Sequence, residues 1–175
     1  GTWAFWRVGG GSQASRIPAL SRHITTNRDD ADDWLQCAPT RLKAAGMVSD
    51  RARVVAEVLL EGDLLWHTTH GLHLLAPYLA DIEEVGMTRS GEPLVLSDRP
   101  AAVTWDGQRL PGPWLVAKAI ELAVPGARQY GTCTVAIRRC HQSARPAAFL
   151  KPVARARLVI ISVASDPPAL AWASH

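Results

Sequence analysis

Histidine and arginine supply most of the side chains in this sequence that could do chemistry. His67, His70 and His73 repeat at intervals of three. On a helix that spacing fans the imidazoles across about 120°, whereas helical zinc pairs stand four residues apart, so the array makes a poor metal cage. Cys133, Cys140 and His141 contain the parts of a thiol nucleophile and its base. Cys133, however, falls on the apolar side of an alternating segment and reads as a small core residue. The arginines point elsewhere. From Arg128 onward the chain carries Arg128, Arg138, Arg139, Arg145, Lys151, Arg155 and Arg157 against only Asp166. That balance suits an anionic ligand such as a phosphate, and equally a solvated surface.

Leu65-Trp66-His67-Thr68-Thr69 puts a histidine at the end of an apolar segment, with two hydroxyls after it. Ile82-Glu83-Glu84-Val85-Gly86-Met87, then Leu94-Val95-Leu96-Ser97 and the small pair Ala101-Ala102, follow in order. The succession resembles the ADP-ribosyltransferase superfamily, where a strand ends in His-Gly-Thr or His-Gly-Ser, a helix follows, and a second strand ends in serine. Three further segments resemble the arginine motifs of RNA 2′-phosphotransferases within that superfamily. They are Leu20-Ser21-Arg22-His23, Ser49-Asp50-Arg51-Ala52-Arg53-Val54 and Gly126-Ala127-Arg128-Gln129-Tyr130-Gly131. The sequence departs from the pattern at Thr68, where the family has glycine, and in a shorter front segment between His23 and Arg53.

The resemblance implies NAD as cofactor, with His67 anchoring the nicotinamide ribose and Thr68, Thr69 and Ser97 lining that end. It implies a catalytic set of Arg22, His23, Arg53 and Arg128 around the 2′-phosphate of an RNA or another phosphorylated nucleic acid. In such a transferase the phosphate attacks the ribose carbon bearing nicotinamide, and nicotinamide leaves. The neighbouring ribose hydroxyl then attacks phosphorus. Guanidinium forks suit both steps because they grip phosphoryl oxygens bidentately.

The order of elements, a helical front end followed by strands with interspersed helices, gives α+β architecture, and the resemblance implies a helical N-terminal lobe followed by an ADP-ribosyltransferase-like mixed β-sheet lobe. The expected organisation is an aromatic arm and Gly-rich linker over 1–15, a helical phosphate-binding lobe over 16–62 and an NAD-binding lobe over 63–175. Helices are expected at 17–26 and 29–45. The second has Asp29, Asp30, Asp32 and Asp33 at its start, Arg41 and Lys43 at its end, Pro39 to kink or split it, and Gly46 to cap it. Helix and strand are balanced over 51–60, a strand is expected at 64–68, and a helix at 72–85 with Pro77 kinking or delaying it. A short strand at 93–96, a helix at 114–124 and strands at Thr132–Arg138 and Leu158–Val163 complete the reading, the last buried on both faces.

Composition bounds the alternatives. The chain has 175 residues, 47% of them hydrophobic, which is enough for a buried core. No apolar run approaches the ~18 residues of a spanning helix. Three cysteines, an odd number without a regular framework, favour reduced thiols and an intracellular setting, hence the cytoplasm. The sequence opens on Gly1 without a signal-peptide pattern and reads as a processed fragment or an excised domain. The arm of Trp3, Phe5 and Trp6 is expected to pack on another surface, in this chain or in a partner. From that arm comes the second class of function: a non-catalytic structural or assembly protein, such as a virion or large-complex subunit, on the same fold with its activity lost.

Overall fold

A computed structural model describes residues 2–7, 25–65, 71–84, 86–144 and 146–165, with side chains from Asp33 onward. The elements in chain order are β1 (Thr2–Arg7), α1 (Thr25–Ala44), α2 (Ser49–Leu64), α3 (Leu75–Glu83), β2 (Leu94–Arg99) and β3 (Ala102–Asp106). They continue with α4 (Gly112–Tyr130), β4 (Thr132–Arg138), α5 (Leu150–Arg155) and β5 (Leu158–Val163). Short 3-10 turns at Leu72–Leu74 and Pro146–Phe149 lead into α3 and α5.

The five strands form one mixed sheet in the order β2-β3-β4-β1-β5. Its parallel pair is β3 with β4, joined by α4, while β2–β3, β4–β1 and β1–β5 are antiparallel. The aromatic arm is therefore strand β1, with β4 on one side and β5 on the other. Both backbone edges of that strand are occupied by this chain, which leaves no ladder there for a partner to extend.

The sheet's inner face is set by alternation. In β4, Cys133, Val135 and Ile137 point inward and are at most 4% exposed, while Thr132, Thr134 and Ala136 face outward. Against them α4 lays Leu115, Ala119, Ile120 and Ala123, spaced three and four apart along one helical face. Each large side chain buried there contributes roughly 1.5–3 kcal/mol. Pro113 falls in the first turn of α4, where its missing N–H costs nothing, and Gly131 ends the helix in a left-handed conformation (φ 84°). The same core takes in Ala38 and Leu42 of α1, Val55 and Leu59 of α2, and Leu75, Tyr78 and Ile82 of α3.

Several expectations need correction. Residues 64–68 do not begin a strand: α2 continues through Leu64, and Leu65 turns. The strand expected to end in His67 is thus not begun at Leu64 and Leu65, and residues 66–68 lie outside the described residues. Pro39 lies inside α1 without ending it, and α1 starts at Thr25, a turn ahead of its aspartates. Pro77 is the third residue of α3, so the delayed start anticipated at that position is what occurs. β5 has the expected bounds but not two buried faces: Leu158 is buried, whereas Val159, Ile161 and Val163 are 42–62% exposed. β5 is an edge strand with one open face.

Candidate functional site

β3 and β4 deliver their carboxyl ends to the same place, with Asp106 registered opposite Arg138, and α4 begins there at Gly112. Ligands of open α/β units collect outside such carboxyl ends. Two loops leave this edge, residues 107–111 and 139–144, and they are laced together. Gly107 N donates to Arg138 O (2.7 Å), Arg109 N to Arg139 O (2.7 Å) and His141 N to Leu110 O (3.0 Å). Four residues in these loops adopt left-handed backbone without being glycine: Gln108 (φ 49°), Arg109 (60°), Arg139 (50°) and Ala144 (58°). Each such residue costs on the order of 1–3 kcal/mol, and strain of this kind gathers where a site over-determines the backbone.

His141 sits at the centre of the second loop. Its side chain is 14% exposed, and Nε2 lies 2.8 Å from Oδ2 of Asp81, on the solvent side of α3. The ring meets Tyr78 edge-on, with centroids 5.1 Å apart. The Tyr78 hydroxyl donates to the carbonyl of Gln142 (2.7 Å), so α3 holds the loop by two side chains one helical turn apart. Burial, then the nearby Asp81 and Cys140, push the Tyr78 phenol well above its ordinary pKa, so it remains a donor. Nδ1 of His141 is buried and has no partner among the described residues. A carboxylate that accepts from Nε2–H leaves the lone pair on Nδ1, which makes Nδ1 a proton acceptor.

The end of β3 carries a buried carboxylate. Asp106 is fully buried, and its oxygens accept from Nε of Arg138 (3.1 Å), Nε of Arg139 (2.9 and 3.0 Å) and the backbone N–H of Gln108 (3.0 Å). The Arg139 hydrogen bond, aided by Gln108, Arg138 and the guanidinium charge, holds its carboxyl below the usual carboxylate range against the upward push of burial. Asp106 in turn raises Arg139.

The residues singled out from sequence fall elsewhere. Arg22, His23, His67, Thr68 and Thr69 lie outside the described residues. Arg53 is on the exposed face of α2 and pairs with Glu57 one turn on (2.7 Å). Arg128 is exposed in the last turn of α4. The two are not brought together. Arg51, two residues from Arg53, stacks on Trp114 (4.1 Å), and Trp114 lies fourteen residues, about 21 Å, from Arg128 along α4. Ser97 is half-buried on β2, beside a register shift between Val95 and Ser97. Among the described residues no group of three His, Cys, Asp or Glu side chains could hold a metal ion. No helix there is long and apolar enough to cross a membrane.

The class of protein follows from comparison with known families: the malate/L-lactate dehydrogenase profile matches residues 30–174, and the chain belongs to that family. It is 28% identical over 127 residues to an L-lactate dehydrogenase of Cupriavidus necator, covering 73% of this chain and 36% of that protein. It is 28% identical over 133 residues to a ureidoglycolate dehydrogenase (NAD(+)) of Escherichia coli O157:H7, covering 76% of this chain and 38% of that protein. Among solved structures, the sulfolactate dehydrogenase of Methanocaldococcus jannaschii shares the fold with a TM-score of 0.64 and 23% identity, over 66% of this chain and 34% of that one. The chain thus spans little more than a third of the length of these relatives.

Family membership overturns the resemblance to ADP-ribosyltransferases and RNA 2′-phosphotransferases. With it go the phosphotransfer activity, the RNA partner and the fold assigned to the second lobe, and the structural or virion reading goes as well. The roles lent to Arg22, His23, Arg53, Arg128, His67, Thr68, Thr69 and Ser97 lose their basis. Sequence reasoning met His141 only as a companion of cysteine. Its carboxylate partner lies 60 residues earlier, on a helix where Asp81 looks like any solvent-side acid.

Proposed function

We propose that this chain handles the proton in the NAD-dependent interconversion of a 2-hydroxy acid and its 2-oxo acid. His141 is the general base and acid, and Asp81 holds its ring. The reading is carried by one observation: Nδ1 of a half-buried histidine, oriented by a carboxylate, has no partner among the described residues at the carboxyl ends of the parallel strands. Oxidising a 2-hydroxy acid requires that the hydroxyl lose its proton as the carbon–hydrogen bond is broken, and Nδ1, left with its lone pair, supplies an acceptor for that proton. In the reverse direction the same atom returns it. Asp81 stabilises the imidazolium while the proton is held, and Tyr78 keeps the loop in place through Gln142.

NAD, the cofactor expected from the sequence on other grounds, remains the cofactor under the new family. When bound it supplies the hydride acceptor. The residues fit that role on the proton side through the orphaned imidazole nitrogen. The chain carries no G-x-G-x-x-G turn for dinucleotide phosphates. Arg109, exposed on the same rim and without a carboxylate partner among the described residues, is a cation available to meet them. Three unbridged cysteines, Cys37, Cys133 and Cys140, support a cytoplasmic setting.

The test mixes the protein with NAD and L-lactate, L-malate or sulfolactate and follows reduced-nicotinamide fluorescence. His141→Gln should slow turnover at least about 100-fold, the usual contribution of a positioned base. Asp81→Asn, which loosens the ring without removing it, should lower kcat while leaving KM close to wild type. Absence of both NAD binding by calorimetry and turnover with any of the three acids would refute the reading.

A further inference from the structure

β2 is an edge of the sheet: β3 pairs along one side, and no strand among the described residues pairs along the other. Such an edge presents unpaired backbone N–H and C=O groups, which sheets commonly blunt with charge or proline along the strand. Here Leu94, Val95 and Leu96 stand in a row, 52, 53 and 42% exposed. A register shift between Val95 and Ser97 interrupts the strand, and only beyond it come Asp98 and Arg99.

A slot lies beside this open strand. Val95 is registered opposite Trp105 and Asp98 opposite Val103, both buried core residues of β3, so Val95 and Asp98 face α4. Between β2 and α4 runs a groove of about 350 Å³, with Val95 and Trp105 on the sheet side and Lys118, Glu121 and Leu122 on the helix side. Its charges do not balance. Lys118 is taken by Glu92 (2.8 Å), whereas Glu121 and Asp98 have no ion pair among the described residues. Arg99, opposite the exposed Ala102, faces away from the groove, and the next cation along α4, Arg128, is two turns past Glu121, about 10 Å.

We propose that β2 and this groove bind an extended basic segment of another polypeptide, which adds to the sheet as a sixth strand. The open ladder and the slot lie along one strand, and a small ligand would use only the slot. Antiparallel pairing is the more stable kind, so the segment reads Lys/Arg-x-apolar. Alternate side chains enter the groove: the apolar one covers Val95 and Leu122, and the basic one meets Asp98 and Glu121. The surface is independent of the chemistry at His141.

The test is calorimetric titration of the 175-residue chain with the acetylated, amidated hexapeptide Lys-Thr-Lys-Thr-Val-Thr. Binding should saturate and weaken as salt is added. Replacing both lysines of the peptide by glutamate should weaken it at least about tenfold, as attractive charge contacts become repulsive. Replacing its threonines by proline should abolish binding, because proline has no N–H to give the ladder. These comparisons are read on the wild-type chain, so no folding defect bears on them. In hydrogen exchange the peptide should protect amides of β2 and spare those of β5, the other open edge. Val95→Lys and Glu121→Lys, both at exposed positions, should keep the wild-type Tm and each lower the affinity at least about tenfold. No saturable binding, equal binding of the lysine and glutamate peptides, or protection at β5 in place of β2 overturns the proposal. Self-association of the chain that Val95→Lys abolishes also overturns it, by giving the edge to a second copy.

Discussion

Replacing Gly112 with alanine tests whether the site is built against the start of α4. A Cβ at Gly112 would stand 2.4 Å from the carbonyl oxygens of His141 and Gln142 and 2.5 Å from Cα of Ser143. All three are backbone atoms, so no flexible side chain can swing aside. Comfortable heavy-atom contacts need about 3.5 Å, so the loop must withdraw by about 1 Å. That movement would stretch the 2.8 Å contact between His141 Nε2 and Asp81 beyond hydrogen-bonding range. Overpacking costs about 1–3 kcal/mol and loss of the charged hydrogen bond about 1.5–3, against roughly 0.4–1 gained by removing a glycine from the unfolded chain. The net is a destabilisation of about 2–5 kcal/mol, or a fall in Tm of about 5–15 °C for a chain of this size. Thermal unfolding measures the first effect, and nitrogen NMR of the His141 imidazole measures the second through the loss of the Asp81-bound tautomer. Gly131→Ala is the control, because its Cβ meets nothing within 4 Å and only the left-handed φ of 84° is strained. It should cost about 1 kcal/mol and leave His141 as it was. Wild-type stability with an unaltered imidazole spectrum in the Gly112 variant would refute the packing argument.

Three further outcomes follow from the same geometry. Asp106 has a lowered folded-state pKa, so its contribution to stability is complete above its unfolded value of about 3.9 and fades as pH falls through the lower folded value. Asp106→Asn should therefore flatten the acid limb of the stability curve below about pH 4, and denaturation midpoints that run parallel to wild type through that range would sink the assignment. Tyr78→Phe should cost about 1–3 kcal/mol in urea unfolding by leaving the Gln142 carbonyl unpaired; a neutral result would show the hydroxyl is not holding the loop. Arg51 stacks on Trp114, donates to the Gly91 carbonyl and keeps Nε and Nη1 buried without partners among the described residues. Arg51→Met should consequently cost no more than about 1 kcal/mol, whereas Arg51→Ala, which leaves a cavity, should cost about 2–5.

Legibility followed the range of the interactions. β4 alternates Thr132, Thr134 and Ala136 with Cys133, Val135 and Ile137, and a pattern of period two is visible without any partner, so both of its bounds were readable. The bounds of β5 were readable from an unbroken apolar run of strand length, but its open face was not. Whether an apolar strand is central or at an edge depends on what pairs beside it, and β5 pairs with a strand at the other end of the chain. That strand, β1, was invisible because its partners start at Thr132 and Leu158. The apolar pair Leu64-Leu65 misled because a helix end and a strand start look alike over so short a run. The arginine motifs misled differently. In a basic chain, short arginine patterns recur by accident, and Arg53 and Arg128 prove to be surface residues of two different helices. His141 and Asp81 form a contact across 60 residues, for which neither residue carries a local sign.

The position of α4 also explains why this edge of the sheet relies on side chains for charge. A parallel strand–helix–strand unit normally offers an anion the free N–H groups at the helix N-terminus. Here the carbonyls of His141 and Gln142 press against the first turn of α4 so closely that only glycine fits at position 112. Two carbonyl dipoles fill the place an anion would need, and they complement the positive end of the helix. The packing that fixes His141 thus removes the backbone as an anion receptor. Positive charge must then come from the strand ends themselves, and that is where Arg138 and Arg139 stand. Two exposed guanidinium groups on adjacent residues would repel each other and splay into solvent. The buried carboxylate of Asp106 holds them side by side at fixed orientation. Asp106 is on this account the residue that orders the arginine pair, and the strained backbone at Arg139 is the geometric condition for completing it.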